Sequence, residues 1–597
     1  MYKGTFENRY KQYWNLLVAY LKPQRSRVVM LGIALLSSIG LKLLNPQILR
    51  YFIDTAVAGG SEQDLVRAAL LFTGVALVTQ ILAVAATYLG ENVAWTATNA
   101  LRTDLAEHCL KLDLSFHKSR TPGELVERVD GDVNALSRFF SQFTIYVLGN
   151  VIMLLGVLVF LFYEDWRAGL GLTFFTLTAL IVLIHLGSYA VPYLTAYRQV
   201  SAEFFGFLGE QLAGTEDIRA NGAISYVMRR FYKILQRWLP IFHQARLAVT
   251  ILWGTTIGLV TVGNAIAFAV GAYLWSSKAI TIGTVYLIFH YTNLLSVPIE
   301  QIRTQLENLQ QAEASIIRIK ELFQVQSKLS REGEKPLAKG ALSVAFENVS
   351  FSYAVGNGTT AHKPIETELV LENISFYLPP GQVLGLLGRT GSGKTTLARL
   401  LLRLYEPQDG SVRLGGVATD QTPLMDLPQR VGLVTQDVQL FQTTVRNNLT
   451  FFNQKISDEH LLRTLEVLEL SEWLLSLPNG LDTKLGADSG GLSTGQAQLL
   501  AFARIFLKDP GLVILDEASS RLDPTTENLI ERTVDRLLIG RTGVIIAHRL
   551  ATVQRADQIL ILENGRSIEY GSRENLANDP NSRFARLLKT GLTDVLV

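Results

Sequence analysis

Apolar residues are unevenly spread along the chain, with the surplus before about residue 320. Six blocks there, at 28–56, 68–94, 140–163, 168–189, 250–275 and 282–306, are long enough to cross a bilayer as helices, because hydrocarbon about 30 Å thick requires roughly 20 apolar residues. Six crossings put both ends of the chain on one side. The loops on the far side are short, whereas the segments 95–138 and 192–247 are long and mixed polar, which predicts helices running well beyond the membrane on the near side.

Charge assigns the sides. Lys3, Arg9, Lys11, Lys22, Arg25 and Arg27 precede the first block, while the 57–64 loop is acidic and the 163–167 loop very short, so the ends are cytoplasmic by the positive-inside bias. The first block has no cleavage site and exceeds a signal-peptide core, so it reads as a retained helix. Tyr13, Trp14, Leu17 and Leu21 share one helical face and suit an amphipathic helix lying on the membrane surface.

Composition agrees with this division. The 597 residues suffice for two or more domains, and 48% of them are hydrophobic, above the balance of a soluble enzyme. Cys109 is the sole cysteine, which excludes an intrachain disulfide and a cysteine metal cluster. His185 and His290 lie in apolar blocks and read as packed or pore-facing polar residues. A stretch rich in Lys, Glu, Ser and Gly, at 326–340, reads as a linker between a first domain (1–325) and a second (341–597).

The second domain carries the candidate chemistry. LGLLGRTGSGKTT (384–396) is an apolar strand broken by G-x-x-x-x-G-K-T and followed by a helical pattern at Leu397, Leu400 and Leu401. In that context Gly388, Gly391 and Gly393 let the backbone curl so that its N–H groups face a phosphate chain, Lys394 meets the terminal phosphates and Thr395 can hold Mg²⁺. Arg389, Thr390, Ser392 and Thr396 complete the candidate loop. Downstream, GLVILDEASS (511–520) is a buried strand ending in two carboxylates that point different ways. Asp516 suits Mg²⁺ and Glu517 suits orientation of an attacking water, the two roles that phosphoryl transfer needs.

These motifs, with others in the same order, resemble the ATP-binding cassette transporters. Tyr353 in FSY resembles the aromatic that stacks on adenine, and Gln436 in LVTQD the glutamine that senses the γ-phosphate and contributes to the Mg²⁺ site. LSTGQ (492–496) resembles the family signature, Asp523 in SSRLDP the dimer-contact loop, and His548 in IIAHRL the switch histidine. The resemblance implies an all-α six-helix transmembrane domain of the type IV exporter fold, followed by an α/β P-loop cassette. It further implies ATP hydrolysis with Glu517, His548 and Gln436 as catalytic residues. Ser493, Gly495 and Gln496 would contact ATP held by a second cassette, so a chain with one cassette is a half-transporter that must dimerise.

The turns at 116–132 and 214–223 resemble the two coupling helices of that fold, with Phe116, Leu125, Val129 and Ile218 interleaved among charges in a way that suits docking. The stretch 354–369 reads as an insertion without chemistry. Lys42, followed by Asn45 and Pro46 in the first block, costs about 2.5–3.5 kcal/mol in hydrocarbon unless it faces water or snorkels. It either faces the translocation cavity, with Glu91 or Glu300 as possible partners, or snorkels. The cavity position would favour anionic or amphipathic cargo.

The resulting expectation is ATP-driven export of an amphipathic, lipid-like, drug-like or peptide cargo, in membrane lipid and without nucleic acid. The setting expected is a bacterial plasma membrane with the cassette cytoplasmic. The alternatives are an ATP-gated channel or regulator on the same fold, and a soluble cassette ATPase that would lack the six spans. The signature departs from the family pattern at Thr494, where glycine is usual, and at Ala497, where a basic residue is common. A homodimer is favoured, and a heterodimer with one weak ATP site remains the other arrangement.

Overall fold

A computed structural model describes residues 18–142, 147–329, 333–353, 369–436, 438–485, 492–516, 524–547 and 553–590. Tyr13, Trp14, Leu17, Glu517, Asp523, His548 and the 354–368 stretch fall outside the described residues. The chain forms two compact units, one of residues up to Leu110 and from Gly123 to Val325, the other of Lys111–Pro122 and Gln326–Val597.

The first unit is helical: α1 (Arg25–Val57), α2 (Glu62–Leu110), α4 (Val133–Gln142), α5 (Gly149–Glu164), α6 (Trp166–Ala213), α7 (Thr215–Ala220), α8 (Ile224–Ser276) and α9 (Ile282–Gln324). Among the described residues five helical stretches are long and apolar enough to span a membrane, and α5 is a shorter apolar helix over the third predicted block. At 1.5 Å per residue, α2, α6 and α8 are each about 70–80 Å long, more than twice the hydrocarbon thickness. Their surplus length accounts for the mixed polar segments in the sequence.

Burial in this unit is that of a protein whose solvent is lipid. Val157, Leu161, Leu172, Ala267, Leu274 and Leu287 are inaccessible in one core cluster, yet Phe174, Ile181, Ile81 and Val159 are largely exposed. Large apolar side chains at that exposure are unfavourable in water and neutral in hydrocarbon. At Gly156 an added Cβ would lie 2.5 Å from Leu43 Cδ1, so the glycine permits the close approach of α1 and α5.

Polar contacts then pin the helix ends. Arg50 Nη1 pairs with Glu164 Oε2 at 2.6 Å, and Asp54 accepts from Gly283 N at 2.9 Å and Thr281 Oγ1 at 2.7 Å. These contacts join the end of α1 to the end of α5 and the start of α9. All three lie on the side that six crossings place opposite the chain termini. At a different level, buried Asp132 accepts from Ser315 Oγ and Arg318 Nε, each at 2.9 Å, and also from Arg318 Nη2.

The second unit contains two sheets. The antiparallel one has the order β2-β1-β4-β5, from β1 (Val344–Phe351), β2 (Leu371–Leu378), β4 (Asp409–Leu414) and β5 (Val417–Ala418). The other has the order β10-β9-β3-β8-β7-β6, from β3 (Val383–Leu387), β6 (Val431–Val434), β7 (Leu512–Asp516), β8 (Thr542–Ile546), β9 (Gln558–Glu563) and β10 (Arg566–Ser572). Within it, β6, β7, β8, β3 and β9 run parallel. Such strands are buried on both faces and so read as continuous apolar runs. A short helix, α3 (Leu114–Lys118), also belongs to this unit.

Candidate nucleotide-binding site

All five residues of β3 are buried, which fixes this run between β8 and β9 in the middle of the parallel sheet. The chain must then turn sharply into α10 (Lys394–Leu401). At Gly388 φ is +148° and an added Cβ would meet Leu562 O at 2.2 Å and Ser392 Oγ at 2.6 Å. At Gly393, the residue before α10, φ is +103°. Both positions require glycine, on space at the first and on backbone conformation at the second.

The loop is shaped for an anion. Lys394 is 6% exposed, and its Nζ donates to Gly388 O at 2.6 Å and Arg389 O at 3.0 Å, folding the charge over the turn. Among the described residues Ser392 Oγ is buried without a hydrogen-bond partner. A buried donor of this kind is costly unless an acceptor is supplied, and a phosphate oxygen at the start of α10 would supply it. Arg389, Thr390, Gly391 and Thr395 are exposed along the rim, while Thr396 is buried.

Strand register brings the rest of the site to this loop. Leu386 is level with Ile546, Ile546 with Asp516, and Leu515 with Val434. The ends of β3, β8, β7 and β6 therefore emerge at one edge of the sheet, the carboxyl edge at which ligands bind in open α/β sheets. Half-buried Asp516 ends β7 and exposed Gln436 follows β6 by two residues. Thr395, Asp516 and Gln436 offer the hard oxygen donors that Mg²⁺ takes. Among the described residues no group of three or more His, Cys, Asp or Glu forms a metal site.

Tyr353, two residues beyond β1, is tied to α10: its hydroxyl is 2.9 Å from Thr396 Oγ1 and accepts from Arg399 Nη1 at 3.1 Å. Its ring meets Phe351 and Tyr405 edge-on. Sequence reasoning missed its next neighbour, Lys118, whose Nζ lies 4.8 Å from the ring centroid. No local pattern flags that contact, because it joins positions far apart in the chain. Asp113 anchors the same segment, accepting from Phe116 N at 3.1 Å, from Lys328 N at 2.8 Å and from Ser115 Oγ. Burial alone would raise the Asp113 carboxyl, but these donors outweigh it and hold the pKa below the usual aspartate value.

The signature segment opens α11 (Thr494–Lys508) with a capping box: Ser493 Oγ accepts from Gln496 N at 3.2 Å, and Gln496 Oε1 accepts from Ser493 N at 3.0 Å. The S-x-x-Q spacing was a legible signal for this cap. It commits the Ser493 oxygen as an acceptor while its O–H can still donate. Thr494 is exposed at the first helical position, Gly495 is buried and Ala497 is 6% exposed.

Comparison with known proteins agrees with this architecture. Residues 28–299 match the ABC transporter transmembrane region, and residues 371–520 match the ABC transporter family of cassettes. The chain is 29% identical over 596 residues to the uncharacterized ABC transporter ATP-binding protein YfiC of Bacillus subtilis, covering 96% of this chain and 92% of that one. It is 28% identical to the ATP-dependent lipid A-core flippase 1 of Colwellia psychrerythraea, covering 95% and 94%. A solved bacterial Atm1-family ABC exporter with ATP bound shares the fold, with a TM-score of 0.77 at 24% identity and coverage of 95% and 98%. The chain thus belongs to the ABC transporters, carrying the membrane region and the ATP-binding cassette of that family in one polypeptide that couples ATP hydrolysis to transport across a membrane.

Proposed function

We propose that this chain is one half of a homodimeric exporter in a bacterial plasma membrane, moving an amphipathic cargo outward by alternating access. The observation that carries the reading is the register that delivers the glycine-rich loop, Asp516 and Gln436 to one sheet edge, in a chain that also has membrane-spanning helices. A lipid-like cargo is supported by relatives named as lipid A-core flippases.

In this reading the loop from Gly388 to Thr396 binds ATP, with Lys394 turning from its carbonyl partners to the terminal phosphates and Ser392 donating to a phosphate oxygen. Tyr353 stacks on the base. Mg²⁺ held through Thr395, Gln436 and Asp516 would neutralise phosphate charge. Glu517 orients water in line with the terminal phosphorus, so that a P–O bond forms to water as the bond to ADP breaks. His548 contacts the γ-phosphate, Asp523 contacts the second cassette, and Ser493, Gly495 and Gln496 of each chain close over the nucleotide held by the other.

ATP thus favours the closed pair of cassettes by its greater affinity for that state. Coupling passes through the segments 116–132 and 214–223. Two contacts support the first segment in this role: Lys118 over the Tyr353 ring and Asp132 bound to Arg318. Domain limits of 1–325, 326–340 and 341–597 describe the division of labour, with segment 111–122 docked on the cassette.

Exposure of Thr494 on the first turn of α11 supports the homodimer, since a side chain directed to solvent leaves the cap intact. The test is reconstitution of the chain alone in proteoliposomes. Glu517→Gln should lower hydrolysis by about two orders of magnitude or more with ATP binding retained, and Lys394→Ala should weaken binding itself. Unchanged turnover in Glu517→Gln would refute the site. ATPase that appears only with a second co-expressed half-transporter would refute the homodimer.

A further inference from the structure

In the helical unit α1, α2, α5 and α9 line an open cavity of about 350 Å³, within the size range of small-molecule sites. Its walls include Leu35, Ile39, Met153, Leu294 and Val297, together with Lys42. Ala83, Ala86 and Gly149 make other parts of the wall small, leaving room for a chain. Among the described side chains of the lining Lys42 is the only charged one, and the side chain of Glu300, between Pro298 and Gln301, lies outside the described residues.

Lys42 sits too deep in the span to snorkel. It lies 17 residues from the start of α1 and 15 from its end, about 25 and 22 Å along the axis, so neither helix end offers it an easy escape to water. Among the described residues it has no ion pair, and Glu91 is not part of the cavity wall. A cation held at such depth marks a substrate or ion pathway more often than a packing accident.

We propose that this cavity binds the cargo, and that the cargo is an anionic amphipath: a hydrocarbon chain against the Leu35, Ile39 and Met153 wall and a negatively charged group on Lys42. The proposal rests on the export reading and narrows its cargo class. A cationic drug would be repelled by Lys42, and the described part of the lining offers a peptide amine no acidic partner. The charge pair is expected to read as about tenfold selectivity, about 1.4 kcal/mol net of desolvation.

The test uses the full-length protein in nanodiscs and reads binding rather than turnover, so it survives failure of the ATPase assignment. Fluorescent 12-NBD-dodecanoate and its neutral carboxamide share one chain and differ only in charge. The wild type should bind the carboxylate about tenfold more tightly. Lys42→Met should bring the two within about twofold, Lys42→Arg should keep the preference, and Lys42→Glu should reverse it. Methionine is compatible with hydrocarbon, and the within-protein ratio is insensitive to the fraction folded. Equal binding of both probes by the wild type, or a preference that survives in Lys42→Met and Lys42→Glu, would overturn the proposal. Failure of ATP hydrolysis in the proteoliposome assay, with the charge preference intact, would instead overturn only the catalytic reading.

Discussion

Replacing Tyr353 by alanine separates what its ring does for nucleotide from what it does for the docked segment. The ring lies 5.0 Å from Phe351 and 5.1 Å from Tyr405, both edge-on, and 4.8 Å from the Lys118 ammonium. Aromatic pairs of this geometry contribute about 0.5–1.5 kcal/mol each and an exposed cation–π contact about 0.5–1 kcal/mol. Alanine should therefore loosen the cluster by about 1.5–4 kcal/mol, less if neighbours close the gap. Loss of stacking on the base should separately weaken ATP by about 1–2 kcal/mol, roughly 5- to 30-fold in Kd. Phenylalanine keeps the ring and forfeits only the hydroxyl contacts with Thr396 and Arg399, which costs about 0.5–1.5 kcal/mol. The assay is ATP-analogue titration in a Glu517→Gln background, with amide hydrogen exchange followed across 111–122. Affinity should fall in the order Tyr, Phe, Ala, with Phe nearer Tyr, and exchange in 111–122 should speed up only in Ala. Phe as poor as Ala, or unchanged exchange in Ala, would refute a ring shared by base and segment.

Two further outcomes follow from single contacts. Gly388→Ala places a Cβ against Leu562 O and Ser392 Oγ in a backbone conformation that alanine rarely adopts, so it should abolish detectable ATP binding and cost about 1–3 kcal/mol in thermal stability; normal binding in a calorimetric titration would refute the cradle. Asp113 has a folded pKa below its unfolded value, so its contribution is fully present above about pH 4 and is lost as pH falls through the folded pKa. Hydrogen exchange referenced for pH should show 111–122 undocking in that acid range, and Asp113→Asn should flatten the dependence; an identical acid profile in the variant would refute the anchor.

Much of the architecture is legible in the chain because its causes are local. A lipid solvent demands long apolar helices, so the blocks at 28–56 and 168–189 reveal α1 and α6 without tertiary information. The glycine loop is equally local, since positive φ and a close backbone approach at Gly388 and Gly393 admit little else. Buried parallel strands write themselves as VLGLL and LVILD. The capping box at Ser493 and Gln496 is also a local signal, although its hydrogen bonds constrain the signature helix more than the family likeness alone indicates.

Contacts between distant positions are another matter, because side-chain direction and strand order must be settled before a partner can be named. Arg50 finds Glu164, Asp132 finds Arg318 and Lys118 finds Tyr353, and in each pair the charge or ring was visible while its partner was not. The sequence likewise left Lys42 between snorkelling and a cavity. Only the packing of α1, α2, α5 and α9 around an open volume placed it in a wall, where it is the one charged side chain among the described residues. Local propensity and solvent chose the elements; the geometry of helices and sheets packed against one another chose which of their polar groups meet.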